Sequence, residues 1–238
     1  MSDKFYDSKK VSLRSETFKN LGSSLAIENA FFESITEDLP TRSNVLDIGT
    51  GDGFVLREIN KRLGNMGVHL YGVDVSYEMI KVAKEQVPNA TFIEGDNYAL
   101  PFEDGLFDIV VAKNVTRFSP AEVFRVLAKN GRFVMREYGL GKGLVEIAEM
   151  FKGRIIRSRD PSFYINGLQN IGFVDVCLKE FNCKREYLLD NLIQIMNSFP
   201  FIENYSKKDE DKIKQKYLDS PTITITSDPI LIVGRKQK

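Results

Sequence analysis

The chain has one histidine and two cysteines in 238 residues, and Lys plus Arg balance Asp plus Glu at 33 each. No apolar run is long enough to span a membrane. Each scarcity closes off a class of function. A single histidine, His69, rules against a histidine-based metal site and against most Ser–His or Cys–His nucleophile systems; no bound metal is expected. Cys177 and Cys183 lie too close on one expected strand to make a disulfide framework and read as reduced thiols. Charge balance argues against a partner held mainly through phosphates, because such partners select a basic surface. The opening stretch "MSDKFYDSKKVSLRSETFKN" has no apolar leader core, so the chain reads as cytoplasmic, without a membrane span.

What remains is ordinary globular composition, 42% hydrophobic and 28% charged, in a length suited to one α/β domain over residues 1–238. Strand and helix patterns alternate. "LAIENAFFESITEDL" carries Ile27, Phe31, Ile35 and Leu39 on a helical stripe, capped by Ser23 or Ser24, and residues 1–40 form an N-terminal helical segment. "NVLDI" is a buried strand. "FVLREINKRLG" is a helix stopped by Gly64. "VHLYGVD", "ATFIEGD", "FDIVVAKN" and "GRFVMREY" are the next four strands. "SYEMIKVAKEQ" is a helix starting at Ser76. "SPAEVFRVLAK" shows a complete capping box, with Ser119, Pro120 and Glu122. Such alternation predicts a doubly wound, Rossmann-like, mostly parallel sheet with helices on both faces. Later, "DPSFYINGLQNIGF" reads as a helix capped by Asp160 and "VDVCLKEFNCKREY" as one half-exposed edge strand. Residues 184–220 read as a helical insertion between late strands, because "TITIT" and "ILIVGRK" return as strand.

The chemistry sits in "NVLDIGTGDGF". Gly49, Gly51 and Gly53 follow G-x-G-x-G, so Phe54 stands where the dinucleotide fingerprint needs its third glycine. A P-loop would need Gly-Lys-Ser/Thr. Glycine loops at strand ends usually present N–H groups to an anion, but Asp47 and Asp52 flank this one. Carboxylates there disfavour pyrophosphate and suit a cationic ligand, such as a group carrying a sulfonium and an ammonium. Asp74, ending the second strand, is placed to accept hydrogen bonds from both hydroxyls of a ribose.

With these residues in view, "VLDIGTGDG", "YGVDVSYEMIKVAKE", "FIEGDNYALPFEDGLFDIVVAKN" and "VFRVLAKNGRFVMRE" resemble, in order and spacing, the motifs of class I S-adenosylmethionine-dependent methyltransferases over Asn44 to Glu137. The small-molecule subgroup resembles it best, namely ubiquinone/menaquinone C-methyltransferases and malonyl-carrier-protein O-methyltransferases. The resemblance implies a seven-stranded sheet and S-adenosylmethionine as cofactor. It puts Asp74 at the ribose and Asp96, with Asn97 beside it, at the adenine amino group, although Asp96 also suits a turn. The expected cofactor-binding set is Asp47, Gly49, Thr50, Gly51, Gly53, Asp74, Val75, Met79, Asp96, Asn97, Lys113 and Asn114.

The chain departs from the family in "KNVTRF" and "VMREYGLGKG". Lys113, Asn114 and Arg117 stand at the carboxyl end of the fourth strand, where open α/β sheets bind ligands; Arg117 suits an anionic substrate or a surface pair. Glu137 and Tyr138 are candidates for a general base or for orienting the substrate. The N/D-P-P-Y/F tetrapeptide and a Pro-Cys nucleophile are both missing, which moves weight away from nucleic-acid bases. The expected reaction is methyl transfer to a small molecule. An RNA or protein methyltransferase stands as the alternative if Lys9, Lys10, Arg154, Arg157 and Arg159 share one face; a non-catalytic cofactor-binding relative is the third reading. Phe5, Tyr6, Tyr138, Met150, Phe151, Leu192, Met196 and Phe199 are expected to cover the acceptor or to form a satellite core. The 184–220 segment would serve as cover or in a homodimer.

Overall fold

The computed structural model describes residues 25–64, 66–156, 159–198 and 201–237. Expectations on Phe5, Tyr6, Lys9, Lys10, Ser23, Ser24, Arg157 and Phe199 lie outside these residues. The described chain divides into two compact units: one of 138–160 and 180–229, the other of 25–137, 161–179 and 230–237.

The larger unit holds a seven-stranded sheet in the order β3-β2-β1-β4-β5-β9-β6. Its strands are β1 (Asn44–Ile48), β2 (His69–Asp74), β3 (Thr91–Glu94), β4 (Phe107–Lys113), β5 (Leu127–Tyr138), β6 (Val174–Glu180) and β9 (Pro229–Arg235). The pairings β3·β2, β2·β1, β1·β4 and β4·β5 are parallel. Around the sheet run α1 (Leu25–Thr36), α2 (Phe54–Leu63), α3 (Tyr77–Gln86), α4 (Pro120–Val126) and α6 (Pro161–Ile171). Strand order reverses between β1 and β4, so β1 is central, and Val45, Leu46, Asp47 and Ile48 are all buried. A strand covered on both faces needs a continuous apolar run, and the one carboxylate in that run, Asp47, stands out. Leu46, Ile48, Val110, Phe133 and Met135 anchor a core that continues to Leu168 and Ile232.

Local signals explain most boundaries. Gly53 adopts φ 79 and opens α2, and Gly64 at φ 54 closes it. The Ser76 hydroxyl accepts from Met79 N at 3.4 Å and starts α3. The capping box at Ser119 forms only in half. Its hydroxyl accepts from Glu122 N at 3.3 Å, but Ser119 N already donates to Asn97 O at 3.1 Å. The Glu122 carboxylate is thereby released to Leu100 N and Arg125, and these contacts hold it below the usual carboxylate range, the Arg125 hydrogen bond foremost.

The smaller unit corrects the reading of the late chain. "VDVCLKEFNCKREY" is two strands, not one: β6 lies on the edge of the large sheet, whereas β7 (Cys183–Tyr187) pairs antiparallel with β8 (Ile223–Ser227) in a sheet of its own. "TITIT" therefore returns to the small sheet and only "ILIVGRK" to the large one. An alternating strand pattern records which face is buried but not which partner it is buried against. Helices α5 (Val145–Met150), α7 (Leu189–Ser198) and α8 (Lys207–Lys216) complete this unit. Phe151, Leu192, Met196, Phe201 and Ile213 form its core, so the satellite-core alternative describes Phe151, Leu192 and Met196.

Candidate cofactor site

The site is built at the carboxyl ends of β1, β2 and β4 in the larger unit. Thr50 N donates to Val73 O at 2.9 Å, tying the glycine loop to β2. Gly49, Gly51 and Gly53 have φ of 64, 56 and 79, a left-handed region that glycine enters without penalty. Their roles differ. A side-chain carbon on Gly49 would meet Val115 at 2.7 Å; on Gly53 it would meet Ala83 at 3.3 Å and Phe92 at 3.4 Å; on Gly51 it would meet nothing within 4 Å. Gly49 and Gly53 are thus fixed by packing, whereas Gly51 faces open space.

Asp74 closes the loop from β2. Its carboxylate accepts from Gly51 N at 2.9 Å and from Ser76 N at 2.9 Å. Asp52 accepts from Phe54 N, the first residue of α2, at 3.2 Å. Asp47 is 1% exposed, and its Oδ2, like Thr50 Oγ1, has no hydrogen-bond partner.

Burial pushes the Asp47 carboxyl up from 3.8 to about 7; the Thr50 hydroxyl works against this, the nearby Asp74 charge adds to it, and Lys113 opposes it. A folded-state value above the unfolded one means that the native chain holds a proton that the unfolded chain has released. The expected outcome is that Asp47 makes the protein less stable as pH rises from about 4 to about 7, and that Asp47→Asn removes this contribution. Urea denaturation at both ends of that window checks it; equal pH slopes in the two proteins would refute it.

The remaining expected residues divide. Asp96 is exposed, and its Oδ1 accepts from Tyr98 N at 2.9 Å in an Asx turn. Asn97 turns the other way: its amide nitrogen is 3.5 Å from the Gly49 side-chain position and donates to Arg117 O at 3.5 Å, and its Oδ1 is buried without a partner. Val75 is 62% exposed on the rim, whereas Met79 is buried. Lys113 is taken up by Glu28 of α1 at 3.8 Å and by the face of Phe54 at 4.3 Å. Asn114, at φ 59, accepts from buried Arg136. Arg117 is exposed. Glu137 is buried at the end of β5; Tyr138 belongs to the smaller unit, where its ring packs on Gly143. Among the described residues no group of three or more His, Cys, Asp or Glu is placed to hold a metal, and no helix is long and apolar enough to cross a membrane.

Sequence reasoning missed Glu28 and Val115. Glu28 is a carboxylate beside the apolar stripe of α1, and that placement was its signal; Val115 had none.

A sequence profile described as a methyltransferase domain matches residues 45–136, the stretch from β1 to β5 that carries this geometry. Residues 45–136 are thus a class I S-adenosylmethionine-dependent methyltransferase domain. The cofactor of this class is S-adenosylmethionine, and the site fits it: an open face at Gly51, a carboxylate at Asp74 and unpartnered buried oxygens on Asp47, Thr50 and Asn97. The chain is 36% identical over 99 residues to demethylmenaquinone methyltransferase of Thermotoga maritima, covering 39% of this chain and 42% of that one. It is 23% identical over 202 residues to phosphoethanolamine N-methyltransferase 2 of Caenorhabditis elegans, covering 76% of this chain and 44% of that one. These matches span less than half of either relative's length. The structure of Haemonchus contortus phosphoethanolamine N-methyltransferase 2 in complex with S-adenosyl-L-methionine superposes with a TM-score of 0.65 at 18% identity, over 99% of this chain and 58% of that one.

Proposed function

We propose that this methyltransferase moves a methyl group from S-adenosylmethionine to a small-molecule acceptor. The observation that carries the cofactor half is the Gly51–Asp74 pair, a loop amide at 2.9 Å from a strand-end carboxylate with open space beside it. In this reading Asp74 accepts from the ribose hydroxyls, and the Gly49–Gly53 backbone borders the methionine part. Asp47 and Thr50 offer it their unpartnered oxygens. Val75 and Met79 wall the base, with Asp96 Oδ2 and Asn97 Oδ1 as its polar partners. Lys113 acts on Asp47 through charge rather than as a direct ligand, and Asn114 is oriented by Arg136.

When bound, the cofactor supplies a strongly electrophilic methyl group. The protein's part is to hold an acceptor in line and to exclude water. Glu137 and Tyr138, at the end of β5, are the residues we assign to orienting it.

A small acceptor is favoured by the names of the relatives, by the missing nucleobase tetrapeptide and by the balanced charge. One residue of the basic stretch is also accounted for, since Arg154 pairs with Asp209 at 2.8 Å. The test is incubation of an extract with methyl-labelled S-adenosylmethionine and the full chain, followed by fractionation. Label is expected in the low-molecular-weight fraction; label in RNA or protein would overturn the small-acceptor reading.

A further inference from the structure

The small sheet of the second unit carries an arginine, Arg185, whose buried Nε has no acceptor. Register pairs Cys183 with Ser227, Arg185 with Ile225 and Tyr187 with Ile223. Alternate strand residues share a face, so Cys183, Arg185 and Tyr187 lie together, while Lys184 and Glu186 are exposed on the other side. The shared face is the one packed on the unit's apolar core, since Tyr187, Ile223 and Ile225 belong to that core.

Arg185 Nε is buried there without an acceptor, and so is the hydroxyl of Ser227. The Cys183 thiol is spent on Ser227 O at 3.7 Å. Tyr138, Tyr187 and Cys183 act on the guanidinium, Tyr187 through a hydrogen bond as well, and together they hold it charged against partial burial. Burial pushes the Tyr187 phenol above its ordinary range, so at neutral pH it offers a dipole and not a charge. An N–H withdrawn from water with no acceptor is destabilising. Arg125 and Arg154, by contrast, each pair with a carboxylate at 2.8 Å. A guanidinium that keeps a buried, unpartnered Nε beside an unpartnered hydroxyl has donors to spare for a planar or tetrahedral oxyanion.

We propose that Arg185, with Ser227 and Tyr187, binds the carboxylate or phosphate group of a small ligand within the smaller unit.

The test uses the full chain and two probes, inorganic phosphate and acetate, each titrated at constant ionic strength maintained with chloride. Binding is followed by calorimetry and by the thermal midpoint. At least one probe is expected to bind the parent protein and to bind Arg185→Met at least tenfold more weakly. Tyr187→Phe and Ser227→Ala keep the guanidinium and should each weaken binding several-fold, which serves if Arg185→Met does not fold. Preference for phosphate or for acetate identifies the ligand's group. Equal anion affinity in the parent and Arg185→Met, or no binding of either probe, would overturn the site. Titration with S-adenosylmethionine is run separately: failure there, with Arg185-dependent anion binding intact, removes the methyltransferase reading and leaves the anion site.

Discussion

Gly51→Val is expected to weaken S-adenosylmethionine binding by at least about 100-fold, roughly 2.7 kcal/mol or more, while the protein stays folded. Two features of one residue give this result. Gly51 sits at φ 56, where a β-branched residue is strained by about 1–3 kcal/mol. Relieving that strain would turn the amide away from Asp74. Its side-chain direction is also empty to 4 Å, so the new Cβ meets no protein atom and the valine instead extends into the space assigned to the cofactor. Gly49→Ala makes the contrast. Its new methyl would meet Val115 at 2.7 Å, and the expected loss is in thermal stability as well as in binding. Calorimetry with the cofactor, paired with thermal unfolding, separates the two. Full affinity in Gly51→Val would show that the loop does not border the ligand.

The second large effect is expected at Asp74. Its carboxylate holds Gly51 N and Ser76 N in the unliganded chain, and in our reading it accepts from the ribose as well. Asp74→Ala removes a charge-assisted acceptor, an effect of about 1.5–3 kcal/mol or roughly 10- to 150-fold in affinity. It also leaves two loop amides unpartnered, so the glycine loop should lose order together with affinity. Asp74→Asn keeps one carbonyl oxygen for those amides and should lose less. If a folded Asp74→Ala variant binds S-adenosylmethionine as tightly as the parent does, the assignment of the ribose anchor is wrong.

Much of this was legible in the sequence because it depends on local backbone demands. The alternation from "NVLDI" to "GRFVMREY" named the strands of the large sheet, and the stop at Gly64 and the caps at Ser76 and Ser119 marked helix ends. A residue's need for positive φ, or a hydroxyl's reach to an amide three residues on, is settled within one turn of chain. The family resemblance came from the same stretch, 45–136. The late chain was less legible. Nothing in "VDVCLKEFNCKREY" tells β6 from β7, because both alternate and they differ only in the strand that each one meets.

By itself, then, the sequence determined a parallel α/β sheet, a glycine loop unsuited to dinucleotides, and two carboxylates, Asp47 and Asp74, at adjoining strand ends. Tertiary structure decided how those groups divide the work. Gly49 and Gly53 are held by packing while Gly51 looks outward; Lys113 is taken by Glu28; Asp96 turns into its own loop while Asn97 faces the glycines. It also decided that Arg185 lies on the packed face of its sheet with its Nε unpartnered. The physical reason is that periodicity fixes which residues share a face, whereas a side chain's partner is set by atoms tens to hundreds of residues away. Lys113 meets Glu28 and Cys183 meets Ser227 across separations that no local pattern encodes.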